Sequence, residues 1–258
     1  MLKSSTDKIS VADYPLHDSI ERDSVREINK VSVVIPVYCE KKTIREVVFR
    51  ICRVDMGLQK EIIIVDDGST DGTREILEKM KKENPTLKIF FHKKNRGKGA
   101  ALRTAFAHAT GQIIIIQDAD LEYNPQDYLK LIEPIVENKA DVVYGSRFLG
   151  GPQRVLYFWH YVGNKCVTLF SNMLSNLNLN DMETGYKVFH RSILDQIEFK
   201  SNRFGFEAEF TMKVAKLKCR VYQMPISYFG RTYEEGKKIT WRDGLATLWH
   251  ILRFRFWN

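Results

Sequence analysis

QIIIIQDADLEY, residues 112–123, runs four consecutive isoleucines straight into two aspartates and a glutamate. Four β-branched residues in a row favour a strand buried on both faces over a helix. Strands of that kind belong to parallel sheets covered on both sides by helices. Carboxylates at the end of such a strand have to be answered by a basic side chain, a proton or a metal.

Outward from this stretch the chain alternates. Towards the N-terminus, strands are expected at 31–37 (VSVVIPV), 61–67 (EIIIVDD) and 87–93 (LKIFFHK), with helical spacing over 43–54, 71–83 and 97–109 between them. Towards the C-terminus a proline opens a helix at 125–138, and DVVYGSR at 141–147 reads as a further strand. The fold class is therefore α/β: a doubly wound, mostly parallel sheet with helices on both faces. Beyond residue 150 the pattern is less regular. Helices are expected over 155–177, 206–217 and 239–257, an extended then turning segment over 185–194, and an edge strand at 220–231 around Pro225. There is no internal repeat or low-complexity tract.

Composition is that of a globular protein, with 44% hydrophobic and 28% charged residues in 258. No apolar run approaches the roughly 20 residues of a membrane span. The first 30 residues are polar, without the apolar core of a signal peptide, and partly helical spacing is expected near 18–28. Cys39, Cys52, Cys166 and Cys219 are scattered, with neither CxxC nor zinc spacing, and read as free thiols of a reducing compartment. The formal charge of +8 favours an anionic partner. The basic residues are dispersed and match no nucleic-acid motif, so no nucleic-acid partner is expected.

Parallel sheets bind ligands beyond the carboxyl ends of their strands. Those ends supply Pro36, Tyr38 and Glu40, then Asp66-Asp67-Gly68-Ser69, then Asp118 and Asp120. Side-chain alternation makes Asp118 and Asp120 point the same way. Hard oxygen ligands with no cysteine or histidine pair suit Mg2+ or Mn2+, with phosphate oxygens and water completing the shell. A lone DxD also reads as an exposed turn, and VDDGSTDGT as a turn and helix cap. Together the three strand ends favour a nucleotide-diphosphate site.

VSVVIPVYCEKKTI, EIIIVDDGSTDGT, KNRGKGAAL and QDADLEYNP closely resemble the nucleotide-binding half of family 2 glycosyltransferases, which have the GT-A fold. YGSRF, DMETGYKVF, RFGFEAEF and GRTYEEGKK resemble its dolichyl-phosphate mannose synthase and polyprenyl-phosphate glycosyltransferase branch. The resemblance covers 31 to about 241. It implies a polar extension over 1–30, a catalytic domain over 31–240 and an amphipathic helix over 241–258. The catalytic domain divides into a nucleotide-sugar half (31–124) and an acceptor half (125–240). It implies that Pro36, Tyr38, Glu40 and Asp66, with Asp67 and Ala119 beside them, hold the nucleotide. Asp118, Asp120 and Glu122 would hold the metal, Glu122 standing where mannose synthases often carry glutamine. Arg231 and Lys237 match the basic pair of a loop that closes over the diphosphate, although the glycine of that loop is displaced in RTYEEGK. Arg147 matches an arginine that meets the acceptor phosphate.

The arginine- and serine-rich segment of polyprenyl-phosphate enzymes is replaced here by GPQRVLYFWHYVGN, residues 151–164. Arg154 and His160 are candidates to take over its phosphate contacts; a surface charge and a packing histidine are the plainer readings. Asp181 matches a position near the acceptor side of the sugar, or is a turn aspartate. Glu207 and Glu209 read as a helix's polar face, although the family places this segment near its site.

The expected activity is metal-dependent, inverting transfer of a sugar from a nucleotide-diphospho-sugar to a polyprenyl phosphate. The metal, Arg231 and Lys237 would neutralise the leaving diphosphate. A phosphate acceptor is already an anion and needs no base; a hydroxyl acceptor does, and Asp181 is the first candidate. A transferase to a hydroxyl and a nucleotidyltransferase or nucleotide-binding module are the rivals. IPVYCEKKT lacks the glycine-rich loop that the last would need. Leu245, Leu248, Trp249, Leu252 and Phe256 form one stripe of the closing helix, which either docks on the core or lies in a membrane surface. The expected location is the cytoplasm or the cytoplasmic face of a membrane, with peripheral contact.

Overall fold

Ile113–Ile116 form β4, and all four side chains are buried. The burial has two sides. Ile113 and Ile115 join one apolar cluster with Val33, Ile35, Ile62 and Ile64, whereas Ile114 and Ile116 join another with Val34, Ile63 and Val65. A computed structural model describes residues 28–155, 157–203, 205–232, 234–235 and 241–257. The expected structure of the first 27 residues lies outside this range, and so does Lys237.

The chain runs β1 (Lys30–Val37), α1 (Ile44–Arg53), β2 (Gln59–Asp66), α2 (Thr73–Glu83), β3 (Lys88–Phe91), α3 (Lys98–Phe106) and β4. A 3-10 turn at Pro125–Asp127 follows, then α4 (Tyr128–Val136) and β5 (Val142–Ser146). The rest comprises α5 (Phe158–Ser175), β6 (Lys187–His190), α6 (Ser192–Gln196), α7 (Phe206–Lys216), β7 (Val221–Pro225) and α8 (Trp241–Phe256). Each helix forms where apolar residues recur on one face. In α1 these are Ile44, Val47, Val48 and Ile51, all buried. Asn124 accepts from Gln126 N at 3.1 Å and Pro125 stands at the first position, so the turn before α4 starts where the proline implies.

The seven strands lie in the order β3-β2-β1-β4-β6-β5-β7. All pairs are parallel except those of β6, which runs against both β4 and β5. The sheet is thus mostly parallel and doubly wound, as expected. The reversed strand left no trace in the sequence, because a strand buried on both faces shows the same apolar run in either direction. Strand β7 is at the edge and ends on Pro225, as its proline requires.

Helices α5, α7 and α8 pack together on the second cluster. Helix α8 docks through Thr247, Ile251 and Phe254, all buried. The stripe expected to decide between core and lipid is divided: Leu245, Trp249 and Phe256 are exposed, Leu252 is half-buried and Leu248 packs on the second cluster. The two readings of this helix therefore describe two of its faces.

Candidate active site

The carboxyl ends of β1, β2, β4 and β5 open on one crevice. Two non-glycine residues in left-handed backbone, Cys39 at φ 55° and Leu121 at φ 64°, turn the chain sharply after β1 and β4. Glu40 and Glu122 follow these turns. Strand β4 ends at Ile116, so side-chain alternation does not extend to the two aspartates, and each engages a different cation. The expectation that alternation points the two the same way is corrected accordingly.

Arg231, beyond β7, reaches into this end of the sheet. Its Nη2 donates to Asp120 Oδ2 at 3.0 Å, and its Nη1 lies 3.3 Å from Glu40 Oε2. Its backbone N–H donates to Glu122 Oε1 at 2.9 Å. Tyr228 donates to the other oxygen of Glu122 at 2.9 Å. Burial, then the Glu122 and Asp118 charges, push the Asp120 acid up to about 7 against the pull of Arg231.

Asp118 is answered by Lys98, from the first turn of α3, at 2.8 Å. The same ammonium lies 2.9 Å from Glu207 at the start of α7. Burial disfavours the Lys98 charge, but Asp118 and Glu207 outweigh it and hold its pKa well above the ordinary value. Gly185 backs onto this group: a Cβ there would overlap Asp118 Oδ2. Lys98 and Glu207 were missed as site residues in the sequence. The lysine reads as an ordinary helix-start charge and the glutamate as a polar face. Glu209 is indeed structural, accepting from Lys200 N, Ser201 N and Lys213 Nζ at 2.7 Å each.

Asp66 is fully buried; its Oδ1 accepts from Ser69 N at 3.2 Å, while Oδ2 has no partner among the described residues. That orphaned oxygen suits a donor on a nucleotide. Tyr38, just past the end of β1, is exposed, and Pro36 is partly buried in β1. Asp67 is used up internally. It accepts from Arg96 N at 3.0 Å and Gly97 N at 2.6 Å, and His92 Nδ1 lies 2.7 Å away. Asp67 therefore holds the loop into α3 instead of facing a ligand. Ala119 is buried, and its carbonyl accepts from Thr43 Oγ1 at 2.7 Å.

On the side expected to face the acceptor, Arg147 clamps Asp181 with Nε at 2.6 Å and Nη2 at 2.7 Å. Asp181 is fully buried and both its oxygens are engaged, so it is poorly placed to serve as a base. Arg154 pairs with Glu235 at 2.8 Å, and His160 lies beside Tyr157 on the first turn of α5; Arg147 and Arg154 both contact Tyr228, the first over its ring and the second through its carbonyl. Lys165 was not foreseen: its ammonium lies 4.9 Å over the Phe148 ring, which Arg147 also approaches, at 5.5 Å.

Among the described residues no three His, Cys, Asp or Glu side chains are grouped to hold a metal. The expected triad is not assembled, because Glu122 is turned onto Arg231 and Tyr228. Asp118 and Asp120 remain. Two carboxylates this close fit a divalent ion that takes one or two carboxylates and fills its shell with phosphate and water; burial first, then the Glu122 and Asp118 charges, raise the Asp120 acid.

Residues 32–198 match the family model for glycosyl transferase family 2. The chain is 29% identical over 232 residues to a dolichol-phosphate mannosyltransferase of Pyrococcus furiosus, covering 89% of this chain and 64% of that one. It thus spans under two thirds of that relative's length. An undecaprenyl-phosphate mannosyltransferase of Micrococcus luteus is 26% identical over 247 residues, covering 88% and 98%. Among solved structures, glucosyl-3-phosphoglycerate synthase from Mycobacterium tuberculosis, in complex with Mn2+, UDP and phosphoglyceric acid, superposes with a TM-score of 0.69 at 20% identity. That likeness covers 88% of this chain and 79% of that one.

Proposed function

This chain belongs to glycosyl transferase family 2 and is a glycosyltransferase of GT-A fold, and we propose on that premise that it moves a sugar from a nucleotide-diphospho-sugar to a polyprenyl phosphate. The observation that carries the reading is Arg231. A cation from the acceptor half rests on Glu40, Asp120 and Glu122 of the donor half. That is where charge on a leaving diphosphate would have to be met. The names of the mannosyltransferase relatives support a lipid-phosphate acceptor.

Asp66 and Tyr38 would hold the base and ribose. Asp118 and Asp120 would hold Mg2+ or Mn2+, which when bound supplies positive charge to the diphosphate. Arg231 would meet the same oxygens, in a site partly shielded from water where charge-assisted bonds are strong. Lys237 is proposed as its partner on the same loop. Lys98 fixes Asp118 and Glu207 at the sugar end. An acceptor phosphate is already nucleophilic, so inversion in one displacement needs no base. Arg147, held by Asp181, and Lys165 would position it. Exposed Val155, Phe158 and Trp159, with the outer stripe of α8, would rest on the membrane surface where such a lipid lies.

The test is transfer from UDP-glucose, UDP-N-acetylglucosamine and GDP-mannose, with Mg2+ or Mn2+, to polyprenyl phosphate in vesicles. A lipid-linked sugar is expected from one of them, abolished reversibly by EDTA. Transfer to a free prenol or a soluble sugar, with none to the lipid phosphate, would overturn the acceptor and leave the donor half standing. Full activity in chelator would remove the metal.

A further inference from the structure

Glu183 lies between Asp181 and Gly185, in the segment that leads into β6. The residue is partly buried, but its Oε1 is closed off from solvent and has no hydrogen-bond partner among the described residues. Charged groups face it from every side. Glu207 comes from α7, Lys187 from β6, Arg147 from the end of β5 and Asp181 from its own segment. Two residues on, Gly185 backs onto Asp118. The orphaned oxygen therefore shares a corner with the Lys98, Asp118 and Glu207 chain. Burial, then the Glu207 charge, push the Glu183 acid up to about 7, against Lys187 and Arg147. The shift agrees with a carboxylate that no donor stabilises.

A buried acceptor with no donor is costly, and in native proteins it is usually satisfied by something that binds. The neighbouring cations are already committed. Lys98 is on Asp118 and Glu207, Arg147 on Asp181, and Lys187 donates to the Met182 and Thr184 carbonyls at 3.1 Å and 2.5 Å. Of the substrate's parts, the diphosphate and the acceptor phosphate are anions that a carboxylate repels. The sugar is a ring of neutral hydroxyl donors.

We propose that Glu183 Oε1 accepts a hydrogen bond from one hydroxyl of the transferred sugar and thereby selects which sugar is moved. This rests on the donor being a nucleotide-diphospho-sugar, as proposed above. Glu183 takes no proton from the acceptor; it is a specificity-determining residue. A site built to bond a hydroxyl discriminates strongly against a donor that lacks it, because the buried oxygen is then left unpaired.

The test compares wild type with Glu183→Gln, which keeps an acceptor oxygen, and Glu183→Met, which keeps the volume and removes it. Each is assayed with the donor that wild type uses best and with analogues deoxygenated at one sugar hydroxyl at a time. Binding of UDP and GDP alone is measured by calorimetry. Glu183→Met should lower kcat/KM for the intact donor about ten- to a hundredfold, and Glu183→Gln less, with nucleoside diphosphate affinity unchanged in both. One deoxy donor should be equally poor with wild type and Glu183→Met, while the others still separate them. A loss by the same factor across all donors, or no loss at all, overturns the assignment while the donor reading stands. A wild type that binds neither UDP nor GDP and uses no nucleotide sugar overturns that reading and this one with it.

Discussion

Asp120 gives up stability to sit where it does. Its folded acid, about 7, lies above the ordinary 3.8, so the fold favours the neutral form. The native state therefore loses stability as pH rises from about 4 to 7, and the deficit persists above 7. Asp120→Asn should lose transfer. In chelator at pH 8 it should melt above wild type, by at most about 4 kcal/mol, with the gain vanishing near pH 4. A lower melting temperature at both pH values would show that Arg231 holds Asp120 more strongly than its neighbours repel it. Asp181 is instead fully paired. Breaking its buried pair with Arg147 in Asp181→Asn should cost about 3–5 kcal/mol and raise KM for the acceptor, not for the donor. Equal donor and acceptor effects would take this pair out of the acceptor side. The strand-end carboxylates were legible in the sequence because the period of β4 and the rule for parallel sheets both point at them. The Arg147 and Asp181 clamp was not, since nothing local links residues 34 apart in the chain. Glu183 was overlooked for a related reason: an orphaned oxygen is defined by what surrounds it in space.

At the scale of elements, the joint between β4 and the approach to β6 is a close fit. A Cβ on Gly185 would overlap Asp118 Oδ2 and lie 2.9 Å from the Tyr123 ring. Gly185→Ala should destabilise by about 1–3 kcal/mol and reduce turnover at least tenfold through displacement of Asp118; unchanged turnover would detach this joint from the chemistry. At the far end of the sheet, Glu61 ties β2 to its neighbours. Burial opposes its charge, but bonds from Lys88, Ser32 and Thr110 win and hold its acid at about 2. Because that lies below the ordinary 4.5, the stability it adds is whole above pH 4.5 and lost as pH falls towards 2. Urea titrations should show Glu61→Gln weaker by about 2 kcal/mol at pH 7 and nearly equal to wild type at pH 2. A constant difference would assign the loss to packing. Every expected strand and helix of the described chain formed, because hydrophobic period fixes type and position. Direction is another matter, and β6, buried on both faces, shows that burial alone carries none.

Across the whole molecule, polar chemistry and apolar surface are separated. The crevice holds the carboxylates and their cations. Elsewhere α5 and α8 expose Trp159 (77%), Met173 (73%) and Trp249 (57%), with Arg253 and Arg255 at the surface nearby. No described helix is long and apolar enough to cross a membrane, so contact through this face would be lateral. Replacing Trp159 and Trp249 together by serine should weaken binding to anionic vesicles at least tenfold, since each large apolar side chain contributes about 1.5–3 kcal/mol when buried. Added salt should weaken wild-type binding too, by screening over about 8 Å at physiological ionic strength. Vesicle binding indifferent to both would move the contact elsewhere.

The reversed strand β6 also bears on how the chain comes to fold. Strand β4 is complete at residue 116, but the partner on its outer edge is residues 187–190. At about 5–20 residues per second the ribosome needs several seconds to supply it. During that time the growing polypeptide displays four isoleucines on an unpaired edge, the kind of template on which chains aggregate. The sheet cannot close in order of synthesis, and its central pairing awaits a long-range contact, which slows folding. Nascent chains that stop between β4 and β6 should therefore depend most on chaperones, and no fragment ending before residue 187 can supply the strand that covers that edge.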